Sequence, residues 1–93
     1  VIPVRQVVPD AVAEIIRRAP LSPEKVAFAW RSVVGPAIAQ ATTVSWGDDG
    51  VLRVKTRDAA WRREVERSAA LIRSRLETLL GEQVVRYIDV KSV

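Results

Sequence analysis

Arginine sets the chemistry available to this chain. Between positions 53 and 75 stand Arg53, Lys55, Arg57, Arg62, Arg63, Arg67, Arg73 and Arg75, against Asp58, Glu64 and Glu66. That window carries a net +5, whereas the remainder, with seven basic and eight acidic residues, carries −1. Cationic groups concentrated in this way suit a phosphate backbone, because each can neutralise a phosphate and release its condensed counterion. Arg53, Lys55, Arg57, Arg62, Arg63 and Arg67 are therefore the expected nucleic-acid contacts. The competing reading is a solvated face in a chain that favours Arg over Lys. Within the same window Trp61 is followed directly by Arg62 and Arg63. A large ring half-covered at a helix edge, with charge around it, is a typical anchor for a protein partner. Trp61 also fits a buried helical stripe, so simple core packing competes with docking at this position.

Other chemistry is missing. Neither His nor Cys occurs, which removes the commonest general base, the usual zinc ligands and the strongest ordinary nucleophile. Asp48 and Asp49 lie between Gly47 and Gly50, where turn formation explains them. Glu64 and Glu66 are two apart and cannot share a helix face. No glycine pattern of a phosphate loop or a dinucleotide site is present; the nearest, Gly47–Gly50, falls in a hairpin rather than ahead of a helix. The expectation is a binding module without enzymatic activity, metal or cofactor.

The elements that must position these residues follow from spacing and punctuation. Asp10 after Pro9 is the expected cap of a first helix, with Val12, Ile15 and Ile16 apolar until Pro20. Ser22 caps a second, Pro23 suits its first position, and Val26, Trp30, Val33 and Val34 form its stripe. Gly35 and Pro36 interrupt it, and Pro36 begins a further helical turn. Thr43–Trp46 and Leu52–Lys55 alternate as the arms of a hairpin. Val44, Trp46, Leu52 and Val54 face the core, while Thr43, Ser45, Arg53 and Lys55 share the other face, with Tyr87 a candidate to join them. Asp58 caps a long helical stretch in which Trp61, Val65, Ala69, Ile72, Leu76 and Leu79 form the buried stripe and Gly81 ends it. Periodicity leaves open whether Ser68 splits that stretch into two helices. Ion pairs Arg62–Glu66 and Arg73–Glu77 are expected at four-residue spacing. The closing "VVRYIDVK" is a strand with Ile88 and Val90 inward; Arg86 has inward parity, so the strand begins later or carries a bulge.

The resulting order is ααββα(α)β, an α+β domain with helices on one face of a three-stranded sheet. The helical crossover favours parallel second and third strands. Ninety-three residues with 48% hydrophobic content make one domain, 1–93, with ample core and a lead-in over residues 1–9. No apolar run approaches the roughly 20 residues needed to span a bilayer, and "VIPVRQVV" is not a secretory signal. A cytoplasmic monomer is expected. The chain begins with Val and contains no Met, so its start is expected to be trimmed.

The ordered set "FAWRSVVGPAIAQAT", "GVLRVKTRDAAWRREV", "LIRSRLETLLG" and "VVRYIDV" resembles the DciA family of bacterial replicative-helicase loader proteins, over residues 22–90. The matching positions are Trp30, Val33, Val34 and Gly35; Leu52 and Val54; Trp61, Glu64 and Val65; and Leu79, Leu80 and Gly81. Ala41 stands where many members have His, and Val65 where Leu is usual. The resemblance implies a fold like the type II KH domain, binding to the hexameric replicative helicase, and help in placing it on single-stranded DNA. KH domains grip nucleic acid with a Gly-x-x-Gly loop between two helices. The corresponding "ERSAAL" has no glycine, so DNA contact is expected through the basic surface instead. Two other readings compete: a KH-like module for ribosomal or other structured RNA, and an interaction domain with no nucleic-acid role.

Overall fold

Two polar side chains start the longer helices of this protein. A computed structural model describes residues 9–47 and 49–92. Its elements are α1 (Asp10–Arg18), α2 (Pro23–Ala41), β1 (Thr42–Trp46), β2 (Val51–Thr56), α3 (Ala59–Leu80) and β3 (Tyr87–Ser92). The Ser22 hydroxyl accepts from the Lys25 amide at 3.0 Å, with Pro23 as the first helical residue. The Asp58 carboxylate accepts from the Trp61 amide at 3.0 Å. Each satisfies an amide that the helix itself leaves without a partner. The first helix departs from expectation. Pro9 occupies the cap position of α1 and Asp10 is already helical, without a side-chain capping bond. Its charge instead sits in the first turn, at the positive end of the helix dipole.

The helix α2 contains a break. Gly35 adopts φ 82 and ψ 170, a region nearly closed to other residues, and Pro36 then restarts the helix. This break separates the Val26–Val34 stripe from a second turn that buries Ile38 and Ala41. Trp30, 2% exposed, lies in the stripe. Its indole N–H donates to the Thr42 hydroxyl at 3.1 Å, and that hydroxyl donates to the Ile38 carbonyl at 2.8 Å. The helix is thereby fastened to the first residue of β1.

The sheet has the order β1-β2-β3, with β1 antiparallel and β3 parallel to the central β2. Leu52, Val54, Thr56 and Ile88 are buried beneath the helices. Arg53 and Lys55 alternate with them on the exposed side. Trp46 is half-buried against the core cluster, and its indole N–H donates to the Val84 carbonyl at 3.3 Å. The strand β3 begins later than Val84, at Tyr87, which resolves the parity of Arg86. The amide of Arg86 donates to the Gly50 carbonyl at 2.8 Å just before pairing starts. In the hairpin turn Gly50 takes φ 80 and its amide donates to the Gly47 carbonyl at 3.2 Å; Asp48 lies outside the described residues.

Three helices on one face of this three-stranded sheet make an α+β fold of the KH-like kind. The helix α3 runs unbroken through Ser68, so the long stretch is one helix. Val65, Ile72, Leu76, Leu79 and Leu80 are its buried residues, while Ala69 is only half-covered. In α1 the buried residues are Ala13 and Ile16, with Val12 packed beside them. Ile15, expected in that stripe, is 69% exposed. Val12 and Ile16 are four apart and share a face, and a helix of nine residues with one buried edge leaves Ile15 on its solvent side.

Two substitutions test this packing. Trp30→Ala should cost about 3–5 kcal/mol, a large share of the stability of so small a domain. Circular dichroism melting reads the loss, and near-native melting would place Trp30 outside the core. Gly35→Ala meets no neighbouring atom within 4 Å, so its expected loss of about 1–3 kcal/mol isolates backbone strain.

Candidate nucleic-acid interface

The basic window does not form one continuous patch. Arg53 and Lys55 project from β2 onto the outer face of the sheet, whereas Arg62, Arg63 and Arg67 belong to α3, in the helical layer behind it. Arg57 follows β2 directly, at the corner where the chain turns into α3; its amide donates to the Ala41 carbonyl at 2.9 Å. Buried Thr56 fixes this corner. Its hydroxyl lies 3.0 Å from the Asp58 carbonyl and 3.2 Å from the Lys91 carbonyl, and can donate to one at a time.

On the outer face, Thr43, Ser45, Arg53, Lys55, Asp89 and Lys91 surround a shallow cavity of about 250 Å³. Strand register sets Ser45 and Asp89 beside Arg53, and Thr43 and Lys91 beside Lys55. Arg53 is partly committed, since its guanidinium donates to the Asp49 carboxylate at 2.8 Å. That bond, helped by the Val51 amide, holds the Asp49 carboxyl below its ordinary range. The same bond and the charge of Asp49, with a smaller contribution from Asp89, raise Arg53. Lys55 and Lys91 form no ion pair with another described residue. Alternation with inward Ile88 and Val90 puts Lys91 on the outer face, but only the parallel register makes it a neighbour of Lys55.

Along α3 the arginines divide by face. Arg63 and Arg67 are four apart and share the outward side, while Arg62 is about a quarter-turn from Arg63. The expected Arg62–Glu66 pair is present but long, at 3.9 Å, and the Arg62 Nε is buried without a hydrogen-bond partner. The expected Arg73–Glu77 pair is not formed; instead Arg67 contacts Glu64 at 3.1 Å. Glu64, with a side chain only 14% exposed, is held close to the helix surface, within reach of the next turn. Exposed pairs of this kind contribute about 0–1 kcal/mol, too little to withhold an arginine from a phosphate.

Trp61 is half-buried in the first turn of α3 and packs against the core cluster. The fuller apolar exposure lies elsewhere. Ile15 and Phe28 flank an apolar groove of about 420 Å³ between α1 and α2, a feature hidden in the sequence because both residues read as ordinary helix positions. Tyr87 does not line the outer-face cavity with Arg53 and Lys55; it lines a separate groove between α3 and β3.

The segment that would hold the Gly-x-x-Gly loop of a KH domain is the interior of α3. Helical amides there are already hydrogen-bonded within the helix and cannot clamp a phosphate backbone. The family model described as Dna[CI] antecedent, DciA, matches residues 3–90. The chain belongs to the DciA family. The match starts well before residue 22, so it takes in α1 of this DciA-family chain as well. The DciA family is associated with loading of the replicative helicase and is not a catalytic family. No curated protein matches the chain. None of the helices of the described residues is long and apolar enough to cross a membrane.

The Asp49–Arg53 contact gives a pH-dependent expectation. Because the folded carboxyl is held low, the pair contributes above the ordinary carboxylate range and is lost as pH falls through the lowered value. In an NMR titration Asp49 should ionise below the ordinary aspartate range, and Arg53→Gln should move it back upward. An unmoved Asp49 would show that the guanidinium does not engage it in solution.

Proposed function

We propose that this chain is a non-enzymatic adaptor that binds the hexameric replicative helicase and assists its placement on single-stranded DNA. The observation that carries this reading is DciA-family membership across nearly the whole chain. In this reading Trp61 is the partner anchor. The Asp58 cap orients the first turn of α3, the ring is half-covered, and Arg62 and Arg63 provide a charged rim. Arg53, Lys55, Arg57, Arg62, Arg63 and Arg67 contribute weak DNA binding from the outer sheet face, the corner after β2 and the back of α3. The unbroken α3 counts against the alternative of an RNA module that works through a glycine loop.

Trp61→Ala, followed both by melting and by titration against the helicase, separates docking from packing. Loss of an interface aromatic typically costs about 2 kcal/mol or more, roughly thirtyfold in affinity. A folded variant with lost helicase binding is the expected outcome, and a folded variant with unchanged affinity rejects the anchor. For DNA, four to six phosphate contacts correspond to a log–log salt slope of roughly −3 to −4 on single strands. Arg62→Glu combined with Arg63→Glu should weaken binding and flatten that slope. A flat response in the parent protein would remove DNA from the reading.

A further inference from the structure

We propose that the groove between α3 and β3 is a single-stranded DNA subsite, with Tyr87 stacking on a base and Arg73 and Arg86 holding the flanking phosphates. This rests on the single-strand binding read above but assigns it a different place and a different chemistry. The groove has a volume of about 330 Å³ and is lined by Ala69, Ala70, Arg73, Arg86, Tyr87 and Ile88. Tyr87 is 62% exposed, and neither its ring nor its hydroxyl is used in a hydrogen bond among the described residues. Most of the Tyr87 surface is therefore open to solvent rather than packed against the core. Beside basic groups the ring has the form of a stacking platform, since every base offers a π-face.

The surroundings support the assignment. Ala69 and Ala70 lie four and three residues before Arg73, so all three share one region of the helix surface, and the small side chains leave depth beside the charge. Arg73 and Arg86 form no ion pair with another described residue. Arg86 is also held from behind. A Cβ at Gly50 would meet its side-chain carbons at 3.1 Å, so the missing side chain at Gly50 allows the Arg86 stem to lie flat across the turn. The Arg86 amide is tied to the Gly50 carbonyl at 2.8 Å, which fixes the residue next to Tyr87. Finally, among the described residues β3 is a terminal strand of the sheet, with no strand paired on its side away from β2.

Fluorescence anisotropy with a short oligothymidylate tests the proposal, with a chain of abasic deoxyribose phosphates as the charge-only probe. Tyr87→Thr, which keeps strand propensity, should weaken oligothymidylate binding about five- to 150-fold. It should leave the salt slope and the affinity for the abasic chain unchanged. Tyr87→Phe should bind as the parent does. Arg73→Gln with Arg86→Gln should flatten the slope by about 1.4, at roughly 0.7 for each lost phosphate contact. Unchanged oligothymidylate binding in both Tyr87→Thr and the double arginine variant overturns the groove. If Arg62→Glu with Arg63→Glu still weakens binding in that case, the basic-window reading survives alone. A parent protein that does not bind oligothymidylate overturns both.

Discussion

The crossover from β2 to β3 governs the rest of this molecule. These neighbours run parallel, so the chain leaving the end of β2 must return the length of the sheet before it can pair again. One helix of 22 residues makes that return, a length of about 33 Å at 1.5 Å per residue. Strands of six residues span only about 20 Å. The helix therefore outreaches the sheet it covers, and the longest dimension of the domain, 35 Å, is close to the helix's own length. Among its residues, full burial first occurs at Val65 and continues to Leu80, so the excess falls on the opening turn. That turn carries Trp61, Arg62 and Arg63. Trp61 and Arg62 are half-buried there and Arg63 is exposed, as a helix longer than the strands it covers allows.

The hydrogen-bonded core residues act on the other side of the same constraint. Trp30, Thr42 and Ile38 form a short chain of hydrogen bonds in which one hydroxyl accepts from an indole and donates to a carbonyl. The positive φ of Gly35 redirects the helix so that Ile38 and Thr42 can take part. Thr56 has a comparable role at the far end of β2, where its buried hydroxyl stands between the cap of α3 and the end of β3. A threonine hydroxyl thus serves at two of the helix–sheet junctions, from α2 into β1 and from β2 into α3.

Much of this fold is legible in the residues, and the limits of legibility are physical. Ser22 and Asp58 announce helix starts because capping is a local interaction, and both cap as their positions imply. Alternation assigned Leu52, Val54 and Ile88 inward because strand periodicity fixes the face. Ile15 misled because a short helix needs only one narrow buried edge, and its spacing did not say which edge. Arg73–Glu77 had suitable spacing but does not form, since four-residue separation permits a weak pair without requiring one. For the candidate site, residue types name the chemistry on offer and leave the neighbourhoods open. The proximity of Lys55 to Lys91, and of Tyr87 to Arg73, comes from strand register and helix placement, which tie together residues far apart in the chain.

The parallel pairing also shapes how the domain assembles. The β1–β2 hairpin closes over a short turn, so its partners meet at little entropic cost. The partners of β3 are separated by the whole of α3, and their contacts depend on prior formation of that helix and its docking. The sheet consequently has one strand pair that can form locally and one that needs nearly the entire chain. Its last strand reports completed folding, and hydrogen exchange at β3 amides distinguishes the finished domain from a hairpin with loosely packed helices.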